Sequence, residues 1–143
     1  MSKVVLLDTG PLGRLAHPRP KADILAWSAD LIAAGDTLIV PEVADYELRR
    51  NLILVALHAS IAELDRLKVA LVNAPITTPI MLKAADLWAD ARRSGHPTAD
   101  PRELDCDVIL AAQALEAGAI VATENVGHLS RYVSAQDWRL ITP

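Results

Sequence analysis

The sequence has a single cysteine, Cys106, among its 143 residues. One thiol excludes an intramolecular disulfide and a site built from several thiolates, and no His/Cys spacing typical of structural zinc is present. The sequence also lacks any apolar run approaching the roughly 18 residues that span a bilayer. We expect no signal peptide either, because the N-terminal apolar run is short and ends at Asp8. These absences predict a reducing, cytoplasmic location.

A basic surplus is missing as well, because the formal net charge is −4. Proteins that attract nucleic acid by bulk charge usually carry the opposite sign. Nucleic acid is not excluded, however, since clustered acids can hold Mg²⁺ ions that reverse the local charge. The chain is 52% hydrophobic and 22% charged, and its length fits one domain over residues 1–143. We therefore predict a folded globular protein with a sizeable core.

Short apolar runs alternate with helical patterns along the chain. Strands are predicted at residues 4–7, 37–41, 75–77, 119–123 and 138–141, and helices at residues 23–34, 43–58, 60–72, 79–93 and 104–117. A capping box at Ser60 and an N-cap at Thr78 are predicted to open two of the helices. Residues 13–20 and 94–103 are predicted loops, and residues 125–132 a loop with one helical turn. This alternation predicts a three-layer α/β/α sandwich around a mostly parallel sheet.

Polar residues follow two of the predicted strands directly. Asp8 ends the run Val4-Val5-Leu6-Leu7, and the segment Thr123-Glu124-Asn125-Val126-Gly127-His128 follows the strand at residues 119–123. In open α/β sheets, ligands and metals collect outside the carboxyl ends of the strands. Asp8 can alternatively be an N-cap or turn residue. His128 can ligate a metal, contact a phosphate or cap a turn.

Two further acids lie on helices and are turned away from solvent. Because a helix turns 100° per residue, Asp105 falls on the face of Gln113, which we take as the exposed face, whereas Asp107 falls on the apolar face with Leu110. A buried carboxylate is costly unless it is paired, so Asp107 is the functional candidate. Asp105 is predicted to be an N-cap or a supporting residue. A favourable first-turn charge on the helix dipole is the alternative for Asp107.

Glu47 repeats this arrangement on the helix predicted at residues 43–58. It lies opposite Asp45 and Arg49, whose i,i+4 spacing is typical of a solvated ion pair. A partly buried ion pair between Glu47 and Arg50 is the structural alternative. Convergent carboxylates from separate elements suit Mg²⁺, which prefers oxygen ligands and keeps several waters.

Four motifs in chain order resemble a known family. They are Asp8-Thr9, Tyr46-Glu47-Leu48-Arg49-Arg50, Asp107-Val108-Ile109-Leu110-Ala111-Ala112-Gln113-Ala114 and Thr123-Glu124-Asn125. Together they resemble PIN-domain ribonucleases, in particular the small single-domain type that includes VapC-like toxins of bacterial toxin–antitoxin pairs. The resemblance spans nearly the whole chain.

The resemblance implies an endoribonuclease that depends on Mg²⁺ or Mn²⁺ and has a three-layer α/β/α fold. The implied roles are metal-binding carboxylates at Asp8, Glu47 and Asp107, an extra acid of some members at Asp105, and supporting polar residues at Thr123 and Asn125. The sequence departs from the pattern at His128, where many toxins of the family have another aspartate. An RNA substrate, a homodimer and a cognate antitoxin that blocks the site are also implied.

Other functions are weighed against this one. A haloacid dehalogenase-like phosphatase acting through Asp8 needs a second aspartate two residues later, where Gly10 stands. A binding module whose acids are structural stays open, as does a stand-alone or degenerate PIN domain without an antitoxin. The basic residues available to contact an RNA backbone are Arg14, Arg19, Lys21, Arg50, Arg102 and Arg131, for each of which a solvated surface role is equally open. The candidate dimer surface is the apolar face around Ile53, Leu57 and Ile61.

Overall fold

The computed structural model describes residues 2–95 and 101–143, and side chains for residues 2–95 and 105–143. Within this part of the chain, five parallel strands form one sheet in the order β3-β2-β1-β4-β5. The strands are β1 Val4–Leu7, β2 Thr37–Pro41, β3 Val72–Ala74, β4 Ile120–Thr123 and β5 Ala135–Asp137. The helices are α1 Thr9–Leu15, α2 Ala22–Ala33, α3 Glu42–Leu54, α4 His58–Ala70, α5 Thr78–Arg93, α6 Pro101–Ala117 and α7 Val126–Leu129.

The sheet is covered on both faces, as the sequence predicts. In β1, the successive residues Val5, Leu6 and Leu7 are fully buried. Successive side chains of a strand point to opposite faces, so both faces of the central strand must lie under helices. The predicted α/β/α sandwich with a parallel sheet is therefore confirmed.

Strand β1 lies at the centre of the sheet, and the strand order reverses beside it. The chain passes from β1 to β2 and β3 on one side and returns to β4 and β5 on the other. This makes the gap between the carboxyl ends of β1 and β4 the topological switch point, where open α/β sheets bind their ligands. Asp8 and Thr123 lie at these two strand ends.

The structure corrects two predicted strands. Strand β3 is formed by Val72–Ala74, not by residues 75–77, and β5 is formed by Ala135–Asp137, not by residues 138–141. Trp138–Leu140 is instead a 3₁₀ turn. Its apolar character has a different cause: Trp138 is 2% exposed and packs edge to face on Trp27, with ring centroids 5.5 Å apart.

Several helix ends also differ from the prediction. Residues 9–15 form α1 although the sequence suggests a turn and then a loop, and α3 ends at Leu54, four residues early. Helix α4 begins at His58, which places Ser60 in its first turn, buried, and not at its cap. Thr77, not Thr78, caps α5 by accepting a hydrogen bond from the Ile80 amide. Of the predicted loop at residues 94–103, residues 96–100 lie outside the described part, and residues 101–103 belong to α6.

Two polar residues assigned to solvated faces are buried. Gln113 is 1% exposed, and its side chain donates to the Ala74 carbonyl at 2.7 Å and accepts from the Val43 amide at 3.3 Å. Asp45 is 8% exposed, and its carboxylate forms ion pairs with the Arg49 guanidinium at 2.9 Å and with Lys68 Nζ at 3.0 Å. The predicted ion pair between Asp45 and Arg49 is confirmed. The solvated positions predicted for Asp45 and Gln113 were wrong, because each also has partners on other elements of the fold. Gln113 joins α6 to the start of α3 and the end of β3.

No described helix has the length and apolar character needed to cross a membrane.

Candidate active site

Three acids from three separate elements line one narrow pocket, called here the acid pocket. Asp8 comes from the end of β1, Glu47 from α3 and Asp107 from α6. The described residues that line it are Asp8, Thr9, Val43, Ala44, Glu47, Cys106, Asp107 and Leu110. The pocket lies at the carboxyl end of the central strand, next to the switch point. The structure thus brings together the three carboxylates that the sequence singled out.

The carboxylate of Asp8 is held by groups from both strand ends. Its Oδ1 accepts from the Thr9 amide at 2.8 Å, and its Oδ2 accepts from the Thr123 hydroxyl at 2.7 Å. Thr123 is fully buried, and its hydroxyl oxygen also accepts from the Asn125 amide at 2.8 Å. The Asp8 amide donates to the Ala122 carbonyl at 3.0 Å, which ties β1 to β4 at the rim. Asp8 is therefore both the N-cap of α1 and a fixed carboxylate of the pocket.

Glu47 is joined to the same network. Its Oε1 accepts a hydrogen bond from the Thr9 hydroxyl, and the Cys106 thiol donates to its carboxylate. The sequence had left open an ion pair between Glu47 and Arg50. Arg50 instead has its guanidinium 5.2 Å from the centroid of the Tyr46 ring. Thr9 thus links the two acids, since its amide donates a hydrogen bond to Asp8 and its hydroxyl donates one to Glu47.

The acid pocket is electrostatically unfavourable for anions. Burial raises the pKa of Asp8, the charges of Glu47 and Glu124 raise it further, and the hydrogen bonds from Thr123 and Thr9 oppose the rise. Burial and the neighbouring Glu47 likewise raise the pKa of Cys106 to about 11. The thiol is therefore protonated at neutral pH and acts as a hydrogen-bond donor. A cation in this pocket would relieve the repulsion among the carboxylates.

The donor set fits a hard divalent cation. All three acids offer carboxylate oxygens, which Mg²⁺ and Mn²⁺ prefer. Among the described residues, no three His, Cys, Asp or Glu side chains form a group able to hold a metal ion by themselves. Mg²⁺ is usually bound by one or two carboxylates together with waters and substrate phosphates, and not by an all-protein cage. The acid pocket suits this open kind of site.

The other predicted site residues lie outside the acid pocket lining. Asp105 is exposed and lines a separate cavity with Met81 and Trp88 of α5. The prediction that it is an N-cap was wrong, because α6 begins at Pro101. Asn125 is exposed and acts through its backbone amide on Thr123. His128 is half-buried on α7 and is not one of the described residues that line the acid pocket.

Glu124 is the rim residue whose importance the sequence did not reveal. It follows Thr123 at the end of β4, accepts hydrogen bonds from Arg14 and from the Trp138 indole, and contributes to the raised pKa of Asp8. A Cβ added at Gly10 would lie 3.3 Å from its carboxyl carbon, so Glu124 packs tightly against α1. The sequence signals for it were its position directly after a predicted strand and its place in the motif Thr123-Glu124-Asn125. Its partner Arg14 is 110 positions away in the chain.

Comparison with known proteins identifies similar structures. No protein-family model matches the sequence, and no curated protein matches it significantly. One similar solved structure is that of FitAcB from Neisseria gonorrhoeae, with a TM-score of 0.71, 21% identity, and coverage of 96% of this chain and 99% of that one. Another is VapBC2 from Rickettsia felis bound to a DNA fragment from their promoter, with a TM-score of 0.76, 15% identity, and coverage of 93% and 97%. A third is DNA-bound VapBC from Salmonella typhimurium, with a TM-score of 0.74, 19% identity, and coverage of 96% and 99%.

These similarities bear on the fold. The neighbouring structures are complexes of PIN-domain toxins with their antitoxins, and they match over nearly the full length of this chain. Identities of 15–21% are too low to transfer an activity. The resemblance that the four sequence motifs show is thus confirmed at the level of the fold, and the chain has a PIN-domain fold.

Proposed function

We propose that this protein is a metal-dependent endoribonuclease that acts as the toxin of a type II toxin–antitoxin pair. The observation that supports this most strongly is the convergence of Asp8, Glu47 and Asp107 on one pocket at the switch point of the sheet. The fold shared with VapBC and FitAB complexes supports the toxin role.

In this proposal the three carboxylates hold Mg²⁺ or Mn²⁺. Such an ion, when bound, polarises the scissile phosphate and lowers the pKa of a water molecule that attacks it. The chain itself orients two of the carboxylates. Thr123 and Thr9 donate to Asp8, and Thr9 and Cys106 donate to Glu47. These donors fix the rotamer of each acid.

The direct test is cleavage of a structured RNA by the purified protein in Mg²⁺ or Mn²⁺. We expect cleavage that stops in EDTA and returns when the metal ion is restored in excess. Absence of cleavage across several RNAs and both ions, by a protein that still binds RNA, would favour the alternative of a degenerate PIN domain acting as an RNA-binding module. A short reading frame next to the gene that encodes an inhibitor of cleavage would support the toxin role over a stand-alone nuclease.

Thr123→Val tests whether the buried hydroxyl positions Asp8. Valine keeps the shape of the side chain but removes the donor to Oδ2. We expect kcat for RNA cleavage to fall roughly 10- to 100-fold with little change in KM, the size typical for residues that orient a metal-binding carboxylate. Thr123→Ser, which keeps the hydroxyl, should retain most of the activity. Equal losses in the two variants would show that the methyl group, and not the hydroxyl, matters.

The proposed partners include a second copy of this chain. The end of α3 exposes Ile53, Leu54, Val55 and Leu57, which are 50–82% accessible. A run of exposed large apolar residues marks an interaction surface. We expect wild type to sediment as a dimer and Ile53→Glu to sediment as a monomer, whereas Leu140→Glu, also at an exposed apolar site, should leave the dimer intact. A wild type that sediments as a monomer at high concentration would contradict the homodimer.

A further inference from the structure

Beside the acid pocket lies a second cavity, called here the basic pocket, which is lined mainly by residues of α1 and of the segment that leads into α2. Its volume is about 360 Å³. The lining residues are Gly10, Gly13, Arg14, His17, Arg19, Lys21, Ile24 and Glu124. Three of the basic residues considered for RNA contact in the sequence analysis thus line this one pocket. The other two whose side chains are described, Arg50 and Arg131, lie elsewhere.

The basic pocket has a local charge opposite to that of the whole chain. It contains three cationic side chains and one carboxylate, whereas the formal net charge of the protein is −4. The carboxylate, Glu124, is already engaged by Arg14 and by the Trp138 indole. Among the residues that the structure describes, Arg19 and Lys21 form no ion pair. Their charges are therefore available to a bound anion.

The basic pocket and the acid pocket meet along α1. Thr9 lines the acid pocket, and the next residue, Gly10, lines the basic pocket. Asp8 and Arg14 are six positions apart at the two ends of one short helix, which corresponds to about 9 Å at a rise of 1.5 Å per residue. The Glu124 carboxylate lies against α1 beside Gly10 and is paired with Arg14. One nucleic-acid strand whose phosphate enters the acid pocket can therefore place a neighbouring phosphate in the basic pocket.

We propose that the basic pocket is a phosphate subsite that binds the backbone of single-stranded RNA next to the nucleotide held at the acid pocket. This inference rests on the proposed function in taking RNA as the ligand. The cationic side chains supply the sequence-independent attraction that phosphate groups require. An acidic site alone would repel its substrate, and the basic pocket provides the attraction that orients the strand.

The test uses a double variant that leaves the fold intact. Arg19 and Lys21 are both exposed, and Lys21 makes no side-chain capping bond to α2. Arg19→Ala/Lys21→Ala therefore removes two charges without removing an ion pair within the described residues. The control is Arg66→Ala/Arg93→Ala, which removes two exposed charges from α4 and α5, outside the basic pocket and at positions not proposed to contact RNA. Arg14 is kept because it also holds Glu124.

Binding of a fluorescein-labelled 12-nucleotide oligouridylate is measured by anisotropy in EDTA, so that no cleavage takes place. We expect the pocket variant to bind roughly tenfold more weakly than wild type at low salt. The plot of log K against log salt concentration should also become less steep, with its negative slope reduced in magnitude by about 1.4, because each lost phosphate contact on a single strand contributes about 0.7. The control variant should keep nearly the wild-type affinity and slope.

Two results would overturn the inference. Equal weakening in the pocket and control variants would show that diffuse charge, and not the basic pocket, attracts the RNA. Binding of an oligoglutamate peptide as tight as that of the oligouridylate, and lost in the same variant, would identify an acidic polypeptide as the ligand. Because binding is measured without metal, failure of the proposed nuclease activity is seen separately, as wild type that binds RNA through the basic pocket but does not cleave it in Mg²⁺ or Mn²⁺.

Discussion

Replacement of Asp8 by asparagine is expected to lower the rate of RNA cleavage at least about 1,000-fold. A bound divalent ion supplies several kcal/mol of transition-state stabilisation, and each 1.36 kcal/mol corresponds to a factor of ten in rate. Asp8 is held firmly in place, since both of its carboxylate oxygens accept hydrogen bonds from the rim. Asparagine has nearly the same shape but only one oxygen and no charge. The measurement is a single-turnover cleavage assay in Mg²⁺ and in Mn²⁺.

The loss should come without unfolding. Burial raises the pKa of Asp8 above its ordinary value of 3.8, so the folded state prefers the protonated form. The charge of Asp8 therefore lowers the free energy of unfolding above the raised pKa, and this penalty disappears as the pH falls below 3.8. Asp8→Asn removes the penalty and keeps an N-capping residue. Its Tm at pH 7 should equal or exceed that of wild type. A lower Tm together with lost activity would point to a structural role.

Gln113→Ala is expected to lower the free energy of unfolding by about 2–4 kcal/mol. The substitution leaves a cavity and removes both hydrogen bonds of a side chain that is 1% exposed. The Val43 amide loses a protein partner at a buried position, and the Ala74 carbonyl loses one at a half-buried position. These groups lie at the start of α3 and the end of β3, so the helix that carries Glu47 should also loosen. Urea denaturation followed by circular dichroism measures the loss.

Glu116→Ala is the matched control for Gln113→Ala. Glu116 lies on the same helix but is exposed. Its substitution should change the free energy of unfolding by no more than about 0.5 kcal/mol. If both alanine variants proved equally stable, Gln113 would not be the connection between α6, α3 and β3 that its contacts indicate.

Much of the fold and of the acid pocket was predictable from local patterns. The runs that form β1, β2 and β4 have no polar alternation, which is typical of strands buried on both faces. Asp8 directly follows one such strand. Helical periodicity also correctly predicted that Asp107 lies on the apolar face of its helix, where Leu110 is buried. These inferences need only the spacing of residues within one element.

Contacts between distant elements were not predictable in this way. Periodicity placed Gln113 with Asp105 on an exposed face, yet backbone groups of α3 and β3 bury it. The apolar run at Trp138 suggested a strand, but it fills the core beside Trp27 in a 3₁₀ turn. The contact of Glu124 with Arg14 joins β4 to α1 across 110 positions. In each case the partner lies far away in the chain, where no local pattern points to it.

Calorimetric titration with Mn²⁺ tests the central claim most directly, because it needs no knowledge of the RNA target. Wild type is expected to bind Mn²⁺, and Asp8→Asn is expected to lose that binding while remaining folded. Asp105→Asn, which changes an exposed acid outside the acid pocket, should bind as wild type does. A wild type that binds no Mn²⁺, or an Asp8→Asn variant that binds it equally well, would contradict a metal site formed by Asp8, Glu47 and Asp107.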